Sequence, residues 1–155
     1  MSNNGHNNPM RPFMGQLTEI RDLATDIKLF QIELLEEAGR SAFAAYKPGQ
    51  FAFVSAFGAG EAPFGITSIP AEGGKLEFAI HRHPHGKTTN GLHYLRTGDV
   101  VGVRGPLGNC FPMDDIKGKD VIVLGGGIGG APLRPVISTI LANRADYGSL
   151  SILWA

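Results

Sequence analysis

A single cysteine, Cys110, is the whole thiol inventory of this 155-residue chain. One thiol excludes an intrachain disulfide, and it excludes a zinc finger or a cysteine-held cluster made by this chain alone. It is compatible with a reducing cytoplasm, which is the expected compartment. Net charge is lacking too, because 14 basic residues balance 14 acidic ones to a formal +0. That balance gives nucleic acid or an anionic membrane surface no electrostatic hold, so neither is expected as a partner. No apolar run approaches the roughly 20 residues needed to span a bilayer, so no membrane span is expected. The opening residues 1–10 are Asn-rich and polar, without the apolar stretch of a signal peptide, and are expected to form a disordered leader.

What the chain has in abundance is turn-forming residues, 22 glycines and 10 prolines. Such numbers suit an all-β region with tight loops. Residues 27–34 alternate apolar and polar side chains, the period-two pattern of a half-buried strand. Further strands are expected over 15–21, 51–55, 65–69, 75–81 and 100–104, with a short helix over 89–95. Turns are expected at 22–26, at Lys47-Pro48-Gly49-Gln50, at Glu72-Gly73-Gly74 and at Thr97-Gly98-Asp99. Short strands so spaced point to a small barrel or sandwich.

The pattern changes after Pro112. Asp120–Leu124 is a continuous apolar run of the kind buried in parallel sheets. A glycine turn follows, then a helical stretch over 131–144 and a second apolar run over 150–154. Pro132 suits the first helical turn, and Pro135 fits less comfortably. Strand, turn, helix and strand make one βαβ unit, which has no complete sheet in which to bury itself. The chain is therefore expected to be a C-terminally truncated fragment, or to be completed by another polypeptide.

Four stretches could carry chemistry. Gly125, Gly126, Gly127, Ile128, Gly129 and Gly130 satisfy G-x-G-x-x-G between a strand and a helix. Glycines there let backbone approach a pyrophosphate, and the helix N-terminus supplies free N–H groups. A glycine-rich crossover turn that binds nothing stays open as the alternative, and no acidic residue follows the second strand to grip a ribose. The second stretch runs from Ile80 through His81, Arg82, His83, Pro84, His85, Gly86, Lys87, Thr88 and Thr89. Pro84 interrupts the histidine alternation and no carboxylate or thiol is near, so no metal is expected. A phosphate-binding turn is expected instead, with charge from Arg82 and Lys87 and donors from Gly86, Thr88 and Thr89. A solvated basic turn is the plain alternative. The third stretch, Ala62 to Ser68, places Phe64 beside Gly65, Ile66, Thr67 and Ser68, a pattern able to support a planar ring or to be a routine strand entry. The fourth, Gly105-Pro106-Leu107-Gly108, is by itself only a turn. Cys110 has no histidine close in sequence, and no Ser-His-Asp order or paired carboxylates support hydrolase chemistry.

In this order the four stretches resemble the ferredoxin–NADP⁺ reductase superfamily, over residues 11–155. The branch most resembled holds the electron-transfer subunits of dihydroorotate dehydrogenase, of anaerobic sulfite reductase and of sulfhydrogenase-type hydrogenases, where the subunit is called gamma. The resemblance implies mainly β structure followed by α/β: an antiparallel Greek-key FAD-binding β-barrel over 11–115, then the first βαβ unit of a Rossmann-like NAD(P)-binding domain over 116–155. It sets Phe64 beside the isoalloxazine, with Gly65, Ile66, Thr67 and Ser68 alongside. It gives the FAD phosphate segment to Ile80, His81, Arg82 and Gly86–Thr89, a flavin-domain turn to Gly105 and Pro106, and the nucleotide loop to Gly125–Gly130. Two family positions differ here, with Ala62 where the wider superfamily has Arg and Gly65 where it has Ser. The implied activity is electron transfer between NAD(P)H and an iron–sulfur or other redox partner subunit via FAD, with no side-chain acid or base required. A 2Fe–2S cluster is implied for full-length members, without ligands in this chain. A flavin-binding or docking module lacking catalysis is the alternative.

Overall fold

The computed structural model describes residues 8–70 and 75–155. Most of the leader expected over 1–10 and the expected turn Glu72-Gly73-Gly74 lie outside the described residues. Six strands form one antiparallel sheet: β1 (Phe13–Ala24), β2 (Ile27–Leu34), β3 (Phe51–Ala56), β4 (Gly60–Gly65), β5 (Leu76–His81) and β6 (Val100–Leu107), in the order β4-β3-β6-β1-β2-β5. Alternate residues turn inward and make one core: Phe30, Ile32 and Leu34 from β2, Ala52, Val54 and Ala56 from β3, Leu76, Phe78 and Ile80 from β5, and Val101 and Val103 from β6. Burying each large apolar side chain of this set contributes about 1.5–3 kcal/mol.

The sheet curls until its two edges meet. After β4 the chain crosses to β5, where the Thr67 amide donates to the Glu77 carbonyl at 2.8 Å. The Glu77 amide donates to Ser68 Oγ at 3.1 Å, and Ser68 Oγ shares a 2.8 Å hydrogen bond with Tyr46 Oη. This corrects the strand expected over 65–69, because the strand ends at Gly65 and the β-prone residues after it close the seam. Pro63 inside β4 is tolerated since β4 is an edge strand, where a missing ladder donor costs little. β6 runs on to Leu107, so Gly105 and Pro106 belong to a strand rather than to a turn. β1 is also longer than expected, so the 22–26 turn contracts to its last residues.

Helix α1 (Glu37–Ala42), with no counterpart in the sequence expectations, is six residues and too short to show a period. Arg40 ties it down by donating to the Leu34 and Leu35 carbonyls. Helix α2 (Lys87–Tyr94) starts two residues before the expected span. Its Leu92 enters the core, and its His93 ring meets the Ile80 carbonyl at 3.0 Å and the edge of Phe30.

A second, two-stranded parallel sheet pairs β7 (Val121–Gly125) with β8 (Leu150–Trp154). The helix expected over 131–144 is split in two: a 3₁₀ stretch Gly127–Leu133, then α3 (Arg134–Ala142). Pro132 and Pro135 explain the split, since each removes a backbone donor that a continuous α-helix would use. Val123, Val136, Ile140 and Tyr147 make a separate small core. Ile122, Leu124 and Leu153 stay more than half exposed on the sheet. Among the described residues, no helix is long and apolar enough to cross a membrane.

Burial lowers the pKa of His93, and the nearby Lys28 and Arg82 charges act the same way, against the raising effects of the Ile80 carbonyl and Asp26. A depressed imidazole pKa means that the unfolded chain binds the proton more readily. Stability is thus complete above the ordinary histidine range and falls as pH drops through it toward the lowered value. Urea midpoints at pH 7.5 and 5.5 are expected to fall further in the parent chain than in His93→Gln.

Candidate functional site

The pairing register brings two of the sequence-singled stretches to one end of the barrel and sets the 80–89 stretch at the other end of β4, beside Gly60. Phe51 on β3 stands opposite Gly65 on one side and Leu107 on the other. Gly105 and Pro106 therefore lie two strands from Gly65. A side chain at Gly105 would stand 3.2 Å from both the Ala52 Cβ and the Phe51 carbonyl, so the strands approach closely there. Phe64, opposite Ala52, packs on the rim of the core while remaining partly exposed.

The stretch after β4 divides its labour. Ile66 is buried to 1% and faces the core, as does Ile80, so these two offer only backbone outward. The Ser68 hydroxyl is consumed at the seam. Thr67 differs: it is 2% exposed, and its Oγ1 has no hydrogen-bond partner among the described residues. A buried hydroxyl left unpaired costs about 1–3 kcal/mol, so an orphan of this kind calls for an explanation. Thr67 lines a cleft of about 370 Å³ together with Arg21, Leu29, Ala79, Ala131 and Arg134.

The turn between β5 and α2 is tied internally. Asn90 Nδ2 donates to the His83 and Gly86 carbonyls, and Thr89 Oγ1 accepts from the His83 amide and donates to the Gly86 carbonyl. Arg82 Nε donates to Asn90 Oδ1 at 2.8 Å, and its guanidinium lies 5.6 Å from the Tyr94 ring centre. Lys87 and His81 are exposed. α2 reaches β4 directly, since a side chain at Gly60 would meet Thr88 Oγ1 at 3.1 Å. The first turn of α2 thus packs directly against the Gly60 end of β4. Asn90 escaped the sequence analysis, although its place one turn after Gly86 was a usable signal. Among the described residues no group of three or more His, Cys, Asp or Glu is placed to hold a metal.

In the 125–130 loop the glycines fall into two kinds. A side chain at Gly125 or Gly130 would collide with the Trp154 ring, so these two are needed for close packing of the loop on β8. Around Gly129, by contrast, a side chain would meet nothing within 4 Å, and its φ is not positive. Packing inside the chain gives no reason for that glycine. The loop also touches the barrel, because a Cβ on Gly65 would come within 2.8 Å of the Pro132 Cβ.

Two further residues gather here that sequence reasoning missed, Glu77 and Arg134. Glu77 is 8% exposed, and Arg134 Nη1 donates both to Glu77 Oε2 and to the Thr67 carbonyl. On the sequence Glu77 reads as one more outward acid of an alternating strand, so nothing signalled its burial.

Comparison with known proteins agrees with this geometry. The family model for the oxidoreductase FAD-binding domain matches residues 14–111. The chain is 38% identical to the sulfhydrogenase 2 gamma subunit of Pyrococcus furiosus, over 84% of this chain and 44% of that protein. It is 33% identical to a probable dihydroorotate dehydrogenase B (NAD(+)) electron transfer subunit of Methanocella arvoryzae, over 82% of this chain and 43% of that protein. The chain thus spans less than half the length of these relatives. Among solved structures, the Amycolatopsis cytochrome P450 reductase GcoB superposes with a TM-score of 0.77 at 28% identity, over 93% of this chain and 43% of the other. Phthalate dioxygenase reductase shares the fold, with a TM-score of 0.76 at 18% identity over 92% of this chain and 43% of the other. The closed six-stranded barrel, the order of its site segments and these matches lead to one conclusion: the chain belongs to the oxidoreductase FAD-binding domain family.

Proposed function

We propose that this chain is the flavin-binding part of an electron-transfer subunit that moves electrons between NAD(P)H and an iron–sulfur or other redox partner by way of FAD. The observation that carries the proposal is the buried, unpartnered Thr67 hydroxyl beside the bare backbone of Gly65. Phe64 and Gly65 would hold the flavin ring, and the Thr67 hydroxyl, shielded in the chain alone, would turn to the ring's polar edge and take the place of the donor that a serine at position 65 gives in the family. The ring adds the chemistry that side chains lack, coupling two-electron hydride transfer to one-electron steps.

The FAD phosphates would be held beside the first turn of α2, at its contact with β4. The Lys87 ammonium, the Arg82 guanidinium and the amides of 87–89 would answer their charge, the Gly86 amide being taken by the His83 carbonyl, while the Thr88 hydroxyl stands at the Gly60 backbone. Asn90 holds the turn and the Arg82 side chain in place, so it acts as a positioning residue. For the nucleotide loop, Gly129 is the supporting observation, since space at an unconstrained glycine admits close approach of a pyrophosphate. We propose a boundary near residue 115 between the flavin-binding barrel and the nucleotide-binding unit, and the cytoplasm as the compartment, in keeping with the exposed Cys110 thiol. The partner is a redox subunit with an iron–sulfur or other centre; the relatives' names call them subunits, one of them an electron transfer subunit.

Two outcomes test the site. In the apo chain, Thr67→Val is expected to be neutral or stabilising by about 1 kcal/mol, because it removes an unpaired buried hydroxyl. The same substitution is expected to weaken FAD in calorimetry, so changes of opposite sign support the assignment. Replacing Arg82 and Lys87 together by Ala is expected to cost FAD affinity by about tenfold or more while FMN loses less. Equal losses for the two flavins would remove the phosphate role.

A further inference from the structure

Glu77 is a carboxylate with little access to water, and such a charge is retained only where it is paired and hydrogen-bonded. From within the barrel it has Gln31 Nε2 at 3.3 Å, a neutral donor that is itself tied to Thr18 through Gln31 Oε1 at 2.9 Å. The positive charge comes from the other unit, from Arg134 on the first turn of α3. The same Nη1 reaches the Thr67 carbonyl, and Thr67 is bound through its amide to the Glu77 carbonyl. One guanidinium therefore grips both strands of the barrel seam. Two residues earlier, Pro132 presses against Gly65, where the absence of a Cβ lets the two backbones close. An apolar contact and an ionic one, two residues apart in the second unit, fix its spacing and its orientation on the barrel together.

We propose that Arg134 is a positioning residue: with Glu77 as its anchor, it sets the nucleotide-loop unit against the flavin segment and couples the two. This rests on the proposed assignment of 64–68 to flavin and of 125–130 to the nucleotide. The Arg134 guanidinium suits the task, because the two N–H of its Nη1 face a carboxylate and a carbonyl at once from a rigid planar group, whereas a lysine ammonium is a point charge on a flexible stem. The pair is half open to solvent on the Arg134 side, so its contribution to stability is small and its role is geometric.

Two readouts test it on the full chain, with Arg134→Ala, Arg134→Lys and Glu77→Gln. Hydrogen–deuterium exchange without flavin reads the joint alone. Amides of 127–140 are expected to exchange about fivefold faster or more in Arg134→Ala and Glu77→Gln, with β2 and β3 unchanged. Unchanged protection of 127–140 in both variants would overturn the proposal. With FAD bound, emission of the single tryptophan, Trp154, reads the distance from the loop unit to the flavin, because flavin absorbs in the range where tryptophan emits. Quenching is expected to fall in Arg134→Ala and to be partly restored in Arg134→Lys, each variant being read at its own FAD saturation so that a change in affinity does not enter. Equal quenching in all variants would also overturn the proposal. A parent chain that shows the exchange result and binds no flavin would sink the flavin assignment and leave the joint standing.

Discussion

Everything at the site depends on one closure, the hydrogen bond from the Thr67 amide to the Glu77 carbonyl. A six-stranded sheet with two free edges exposes rows of unpaired donors and acceptors, and curling until the edges meet removes them. Here the edges do not pair as regular strands. The chain after β4 leaves the ladder and reaches β5 through three residues with different duties. Ile66 goes to the core, Ser68 goes to the Tyr46 and Glu77 hydrogen bonds, and Thr67 is left with a hydroxyl inside and a carbonyl turned to Arg134. Closing the barrel and building the binding segment are the same act.

The seam also explains how two small cores work as one molecule. The buried hydrophobic core of the second unit is small, Val123, Val136, Ile140 and Tyr147 among the described residues, with partly buried neighbours around them. Its hold on the barrel comes where backbone approaches backbone, at Gly65 with Pro132, and where charge meets charge, at Glu77 with Arg134. Both contacts fall on the segment proposed to hold flavin and on its seam partner. A cofactor bound at 64–67 therefore sits within reach of any group held by the loop.

Much of this was legible in the sequence, and the misses have physical causes. Residues 27–34 alternate apart from the adjacent Leu29 and Phe30, and β2 occupies that span with Phe30, Ile32 and Leu34 turned inward. The βαβ unit was legible from its apolar runs and its glycine turn. β4 was misplaced because Ile66, Thr67 and Ile69 have strand propensity while Gly60 and Pro63 do not, and an edge position forgives the latter two. The paired prolines set the start of α3 later than the periodicity suggested. At the site, the glycines were visible but their reasons were not. Only the folded arrangement separates Gly130, which Trp154 requires, from Gly129, which nothing inside the chain requires. Glu77 and Arg134 are 57 residues apart, and no local pattern links them.

The central claim is that this chain folds around a flavin at its seam. Its most direct test is visible absorption of the full chain after incubation with FAD and gel filtration. A band near 450 nm co-eluting with the protein at about one flavin per chain is the expected result for a site of this family. Protein emerging colourless, with all the flavin in the small-molecule volume, would contradict it.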